Sequence, residues 1–126
     1  MDRTLQRLVG VYDADGTTLG ELSYFVNARL GRAHCSLCDI THGLVRERSD
    51  WRTARAELPV EFVTFHRNDQ PDAVRASTAG LLPAVVAETD GGVVMLLDHD
   101  ALDECHGDPG VLVERLRQAI GDHDLR

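Results

Sequence analysis

The stretch Pro83-Ala84-Val85-Val86-Ala87-Glu88-Thr89-Asp90-Gly91-Gly92-Val93-Val94-Met95-Leu96-Leu97 predicts two strands joined by a tight turn. Both halves are rich in aliphatic and β-branched residues, which strands favour. Between them, Thr89-Asp90-Gly91 is a turn signal. We therefore expect a β-hairpin in the second half of the chain.

The segments on either side of this hairpin predict one further strand and two helices. Upstream, Val60-Glu61-Phe62-Val63-Thr64-Phe65-His66 alternates between apolar and polar residues as a strand does. A short helix is predicted over Asp72–Ala79, with Pro71 near its first turn and Gly80 at its end. Downstream, apolar residues recur at helical spacing and predict a final amphipathic helix: Val111, Val113, Leu116 and Ile120.

The first half of the chain begins with a predicted buried strand, Leu8–Tyr12, and continues with helices. The first helix is predicted over Thr17–Leu30. Another runs from a Ser49 or Asp50 cap to Pro59, with Trp51, a predicted core residue, Ala54 and Leu58 at helical spacing. Because helices connect the strand at Leu8–Tyr12 to the strand at Val60–His66, we expect these two strands to pair in parallel.

Size and composition exclude several classes of protein. A chain of 126 residues is the length of one domain, so we expect residues 1–126 to form a single domain. The net charge of -8 argues against binding to nucleic acid. All basic side chains are arginine, which excludes Schiff-base and P-loop lysines. There is no membrane-length apolar run and no secretory signal pattern, so we expect a cytoplasmic protein that does not enter a membrane.

The order of the predicted elements resembles the thioredoxin-like fold superfamily. Three stretches carry the resemblance: Asn68-Asp69-Gln70-Pro71-Asp72, Leu82-Pro83-Ala84-Val85-Val86 and Asp90-Gly91-Gly92-Val93-Val94. It implies an α/β fold with a central mixed sheet of about four strands flanked by helices, here with a helical insertion after the first strand. It also implies that Pro83 follows a cis peptide bond beside a redox-active cysteine pair.

The family's Cys-x-x-Cys motif is matched in type by His34-Cys35-Ser36-Leu37-Cys38-Asp39-Ile40-Thr41-His42. If this segment is helical, Cys35, Cys38, Asp39 and His42 share one face. A helix N-terminus and a nearby imidazolium lower a thiol pKa, so the motif predicts a thiol-disulfide oxidoreductase. Cys35 would attack a protein or small-molecule disulfide, and Cys38 would resolve the mixed disulfide, with His34 or His42 as base or charge partner.

The motif also supports two alternatives to redox chemistry. Zinc accepts sulfur and nitrogen ligands, so Cys35, Cys38 and His42 could bind this metal in a non-catalytic domain. A fourth ligand would come from His34, Cys105, His106 or water. The third interpretation is that Cys35 and Cys38 are small buried side chains in a packed helix. The redox hypothesis needs no cofactor, whereas the metal hypothesis needs zinc.

The motif departs from the family in its position. About twenty residues, including a predicted helix, separate Tyr12 from Cys35, whereas in thioredoxins the motif follows the first strand almost directly. The helix predicted over Thr17–Leu30 would carry the chain toward the opposite end of the sheet from Pro83, unless the segment after it returned.

His66 and His99 are weaker candidates for a functional site, and each is predicted at a strand end. The oligomeric state does not follow from the sequence.

Overall fold

The structure, a computed structural model, describes residues 4–12, Leu37 and residues 49–125. The elements with both ends in these residues are β1 (Leu5–Val11), α1 (Ser49–Arg55), β2 (Phe62–Phe65), α2 (Asp72–Thr78), β3 (Ala84–Thr89), β4 (Gly92–Leu97), α3 (His99–Asp103) and α4 (Pro109–Asp122). The predicted helix at Thr17–Leu30, which is the proposed insertion after the first strand, lies outside the described residues.

The four strands form one mixed sheet in the order β2-β1-β3-β4. Strands β1 and β2 are parallel, with Val11 opposite Phe65. Strand β3 is antiparallel to β1, with Ala84 opposite Val11, and it is also antiparallel to β4. The structure thus confirms the parallel first pair and the hairpin, and the protein is a mixed α/β fold with helices flanking a four-stranded sheet.

Alternate residues of β1 contribute to two separate apolar cores. Leu8 and Tyr12 belong to the larger core, which also contains Trp51 of α1 and Leu116 of α4. The smaller core contains Val9, Val11 and Val86 with Val74 of α2. Because successive side chains of a strand point to opposite faces, α1 and α4 cover one face of the sheet and α2 covers the other.

Helix α1 ends at Arg55, four residues before Pro59, where the sequence predicts its end. Glu57 N donates to Ala54 O and Leu58 N to Arg55 O, both at 3.1 Å, so the chain tightens into i to i−3 turns. The ring of Pro59 disfavours a helical conformation in the residue before it, which explains why the helix stops early. Leu58 remains buried in the larger core, so the predicted apolar contact is kept without the helix.

Helix α4 begins at a side-chain cap. The Oδ1 atom of Asp108 accepts from Gly110 N at 2.8 Å and from Val111 N at 3.4 Å, and Pro109 occupies the first turn. No helix that lies wholly in the described residues is both long and apolar enough to cross a membrane.

We expect Asp108→Ala to lower the free energy of unfolding by about 1 kcal/mol, because the first turn of α4 loses its only side-chain acceptor among the described hydrogen bonds. Denaturant titration measures this loss. Asp108→Asn is the matched control, since its amide oxygen keeps the cap. Equal losses in the two variants would show that the cap does not stabilise α4.

Candidate functional site

The predicted reactive residues Cys35, Cys38, His34 and His42 lie outside the described residues, as does Asp39. The shared helical face predicted for them therefore stays a prediction. The structure does describe one residue inside the motif, Leu37, and it describes the sheet end at which Pro83 lies.

Leu37, which stands between the two cysteines in the sequence, is helical and fully buried in the larger core. A Cβ atom added to Gly10 of β1 would lie 3.1 Å from Leu37 Cδ2 and 2.9 Å from Cζ of Phe62. Leu37 therefore packs against β1 at Gly10. A glycine at this position leaves room for the close approach.

We expect Gly10→Ala to lower the free energy of unfolding by about 1–3 kcal/mol, because the added methyl group overpacks the space shared with Leu37 and Phe62. The Phe62 ring cannot yield easily, since it packs edge-on against Trp51 with ring centroids 5.0 Å apart. Gly121→Ala is a control in open space within α4, where alanine favours the helix and should not destabilise. If Gly10→Ala is as stable as the wild type, the packing described for Leu37 is wrong.

Pro83 lies at the end of the sheet where β1 and β2 finish and β3 begins. Ala84 pairs with Val11, and Val11 pairs with Phe65, so these three strand ends are adjacent. The Leu82–Pro83 peptide bond is cis, as the resemblance implies. Gly10 pairs with Val85, one residue farther into the sheet.

Two aromatic side chains meet at this sheet end. Tyr12 N donates to Phe65 O at 2.9 Å, which continues the β1–β2 pairing beyond the last strand residue. The rings of Tyr12 and His66 have centroids 5.5 Å apart and planes inclined by 53°. Tyr12 is almost fully buried, whereas the His66 side chain is 26 % exposed. The histidine is thus held against the core while part of its ring remains accessible.

Asp69 orients His66 from the turn that follows β2. Asp69 Oδ2 lies 3.2 Å from His66 Nδ1, and Asp69 Oδ1 accepts from the backbone N of His66. The turn closes with Asp69 N donating to His66 O at 3.2 Å. A carboxylate can only accept hydrogen bonds, so this geometry places a proton on Nδ1 of His66.

Sequence reasoning placed His66 at a strand end but did not pair it with Asp69. The signal that could have found the pair is the His-x-x-Asp spacing directly after an alternating strand, because a turn brings residues i and i+3 together. The contact between Leu37 and Gly10 was also missed. An isolated glycine inside an apolar strand was its signal.

His99 also lies at this end of the sheet, just after β4. A cavity of ≈ 330 Å³ lies beside it and is lined by Gly80, Leu81, Leu82, Asp98, His99 and Asp100. One ring nitrogen of His99 and one carboxylate oxygen each of Asp100 and Asp103 lie within 4.8 Å of one another. His99 and Asp100 are exposed, and groups of this kind are common on surfaces as solvated ion pairs. The prediction of His99 at a strand end is confirmed.

Cys105 occupies a different environment from a reactive thiol. It is 1 % exposed, and its Sγ lies 3.6 Å from Ala101 O. Burial raises the pKa of the Cys105 thiol, and the nearby Arg115 opposes this only in part. Its thiolate is therefore scarce at neutral pH, and Cys105 serves as an unreactive reference for the other two cysteines.

Comparison with protein-family models, curated proteins and solved structures finds no match to this chain.

Proposed function

We propose that the chain is a thioredoxin-like domain that catalyses thiol-disulfide exchange with Cys35 and Cys38. The sheet supports the fold assignment, since its order β2-β1-β3-β4 joins a parallel pair of strands to an antiparallel hairpin, and the resemblance implies a mixed sheet of about four strands. The helices support it too, because α4 packs on one face and α2 on the other.

The position of Leu37 is the observation that carries the functional proposal. Leu37 packs against Gly10, which is two residues from Tyr12 and therefore only about 7 Å along β1 from the sheet end that also holds Pro83. Cys35 and Cys38 flank Leu37 in the sequence. The buried contact of Leu37 thus favours a motif that returns toward Pro83 rather than one at the opposite end of the sheet.

In the proposed reaction, the thiolate of Cys35 attacks one sulfur of a protein or small-molecule disulfide. A mixed disulfide forms, and the other substrate sulfur leaves as a thiolate that takes up a proton. Cys38 then attacks Cys35, which releases the second substrate thiol and leaves a Cys35–Cys38 disulfide. The substrate is reduced and the cysteine pair oxidised, and a dithiol reductant returns the pair to its starting state.

Trapping of the mixed disulfide tests this proposal. We expect Cys38→Ser to accumulate a covalent adduct on Cys35 when it is mixed with a low-molecular-weight disulfide, because the resolving thiol is missing. Mass spectrometry of the digested protein locates the adduct. The control is Cys105→Ala, which should behave as the wild type and release the second thiol.

The same experiment separates this proposal from the zinc hypothesis. A zinc site formed by Cys35, Cys38, His42 and a fourth ligand would hold both sulfurs on the metal. The purified protein would then carry close to one zinc per chain and resist the disulfide until a chelator is added. Zinc at that ratio, with no adduct on Cys35 in the Cys38→Ser variant, would contradict the exchange activity.

A further inference from the structure

We propose that the open edge of β4 binds an extended peptide segment of a partner protein, in which apolar residues stand between lysine or arginine side chains. The inference goes beyond the proposed exchange reaction and does not depend on Cys35 or Cys38. It stands on three features of the described residues, namely the unpaired backbone groups along β4, its uncharged side chains and the carboxylates at both of its ends.

The backbone of β4 is paired on one side only. Strand β4 lies at the edge of the sheet, and Thr89 and Gly92 face each other across the two-residue turn that joins it to β3. Backbone groups of alternate residues point to opposite edges of a strand, so the N–H and C=O groups of Val93 and Met95 point away from β3. None of the hydrogen bonds of the described residues uses these outward groups. A further strand could therefore pair with them.

The side chains of β4 lack two features that commonly keep a sheet edge unpaired. The strand reads Gly-Val-Val-Met-Leu-Leu and contains neither a charged residue nor a proline. Val93 and Met95 are half-buried against the smaller core, so part of each side chain stays accessible. Val86 pairs with Met95 and Val85 with Leu97, which makes Leu96 a bulge. The regular open edge is thus Gly92–Met95, which fits a short strand.

Both ends of β4 are acidic. Asp90 in the turn before the strand is exposed, as are Asp98, which continues the strand in an extended conformation, and Asp100. The cavity of ≈ 330 Å³ beside His99 lies at the second end and is also lined by Leu81, which is 46 % exposed. The apolar stem of a lysine or arginine would pack on Leu81 while its charged group meets the two carboxylates. The chemistry of the edge therefore favours a basic partner.

A second copy of this chain fits the same edge poorly. In an antiparallel pair centred on Val94, Val93 of one copy lies opposite Met95 of the other, so both outward residues of each copy are used. That register also places Asp90 of each copy opposite Asp98 of the other. Like charges directly opposite each other destabilise a strand pair, and each copy carries a net charge of -8. Charge thus favours a basic foreign segment over self-association.

A synthetic peptide tests the inference on the full chain. The probe is Lys-Thr-Val-Thr-Val-Thr-Lys with both ends capped, and calorimetry measures its binding. We expect one peptide to bind per chain and, by NMR-detected hydrogen exchange, slower exchange of the N–H groups of Val93 and Met95.

Two control peptides separate backbone pairing from charge. One carries glutamate in place of both lysines, and the other is methylated at alternate backbone nitrogens and cannot complete the strand pairing. We expect each to bind at least about tenfold more weakly than the probe, because the first meets like charges and the second loses its backbone donors.

Met95→Pro removes an outward N–H from the edge. The bonds from β4 to β3 are kept, since this N–H points away from β3. Met95→Ala is the matched control, because it loses the same side chain but keeps the N–H. We expect Met95→Pro to bind the probe about tenfold more weakly than Met95→Ala does. The methylated peptide tests the same pairing in the wild type, so the outcome does not depend on the folding of Met95→Pro.

The combination of Asp98→Asn and Asp100→Asn tests the acidic end. The amide oxygen of Asn at position 98 can still accept from Ala101 N, so the cap of α3 is kept. We expect binding of the probe to weaken about threefold and to depend less on salt, as for exposed ion pairs. Asp122→Asn changes an exposed carboxylate at the end of α4 and should leave the affinity unchanged.

Equal binding of the lysine and glutamate peptides would overturn the inference, as would equal binding of the methylated and unmethylated peptides. Failure of the lysine peptide to bind, or binding without protection of Val93 and Met95, would also overturn it. A dimer of the free chain that Met95→Pro dissociates would assign the edge to a second copy instead. These measurements involve no thiol, so a failure of the proposed exchange reaction leaves them unaffected.

Discussion

Cys35→Ser is expected to lose all disulfide exchange above the uncatalysed background. A serine hydroxyl is not ionised at neutral pH and cannot form a disulfide. In the proposed reaction, Cys35 must do both, since it attacks as a thiolate and then holds the mixed disulfide. No other residue in the proposal replaces this nucleophile. The assay is the reduction of a low-molecular-weight disulfide in the presence of a dithiol reductant, with the rate of the buffer subtracted.

The control for this prediction is Cys105→Ala. Cys105 is buried and its thiol pKa is raised by that burial, so its removal should leave the exchange rate close to that of the wild type. Alanine is preferred to serine here because it adds no polar group to the core. Equal exchange rates for Cys35→Ser and the wild type would end the oxidoreductase hypothesis.

Trp51→Ala is expected to cause the largest loss of stability, about 3–5 kcal/mol. The Trp51 side chain is fully buried in the larger core, and its ring meets the edge of Phe62 at an interplanar angle of 81°. Removing it opens a cavity between α1 and the sheet. It also removes the packing contact of the Phe62 ring, which lies against the Gly10 position. Folded proteins are stabilised by only about 5–15 kcal/mol, so Trp51→Ala would remove a large part of the free energy of unfolding.

Two further variants show whether the loss comes from packing. Trp51 Nε1 is buried and no described group accepts from it, so Trp51→Phe removes an unsatisfied donor and should cost less than Trp51→Ala. Leu81→Ala removes an apolar side chain that is 46 % exposed and should change stability by no more than about 0.5 kcal/mol. Comparable losses in Trp51→Ala and Leu81→Ala would contradict the core described here.

The sheet could be predicted from the sequence because its signals are local. The hairpin around Thr89–Asp90–Gly91 follows from its turn residues. The alternation over Val60–His66 predicts a strand, of which Phe62–Phe65 form β2, and the parallel pairing follows from the helical connection. The early end of α1 was not foreseen, because Leu58 continues the apolar spacing that predicts a helix even though the chain has already turned.

The candidate site was harder to predict because its contacts join distant segments. Cys35 and Cys38 stand out as a motif, and Pro83 stands out through the family resemblance, but only packing places Leu37 at Gly10. The pairing of His66 with Asp69 depends on a turn that composition alone does not specify. The faces and ends of a sheet are decided by tertiary structure, which a single sequence indicates only in part.

The most direct test of the central claim is the redox state of the three thiols after mild oxidation of the wild-type protein. Differential alkylation followed by peptide mass spectrometry reports which cysteines are bonded. We predict an intramolecular Cys35–Cys38 disulfide that a dithiol fully reverses, with Cys105 still a free thiol. If Cys35 and Cys38 stay reduced under conditions that oxidise a model dithiol, and no metal protects them, thiol-disulfide exchange is not the function of this protein.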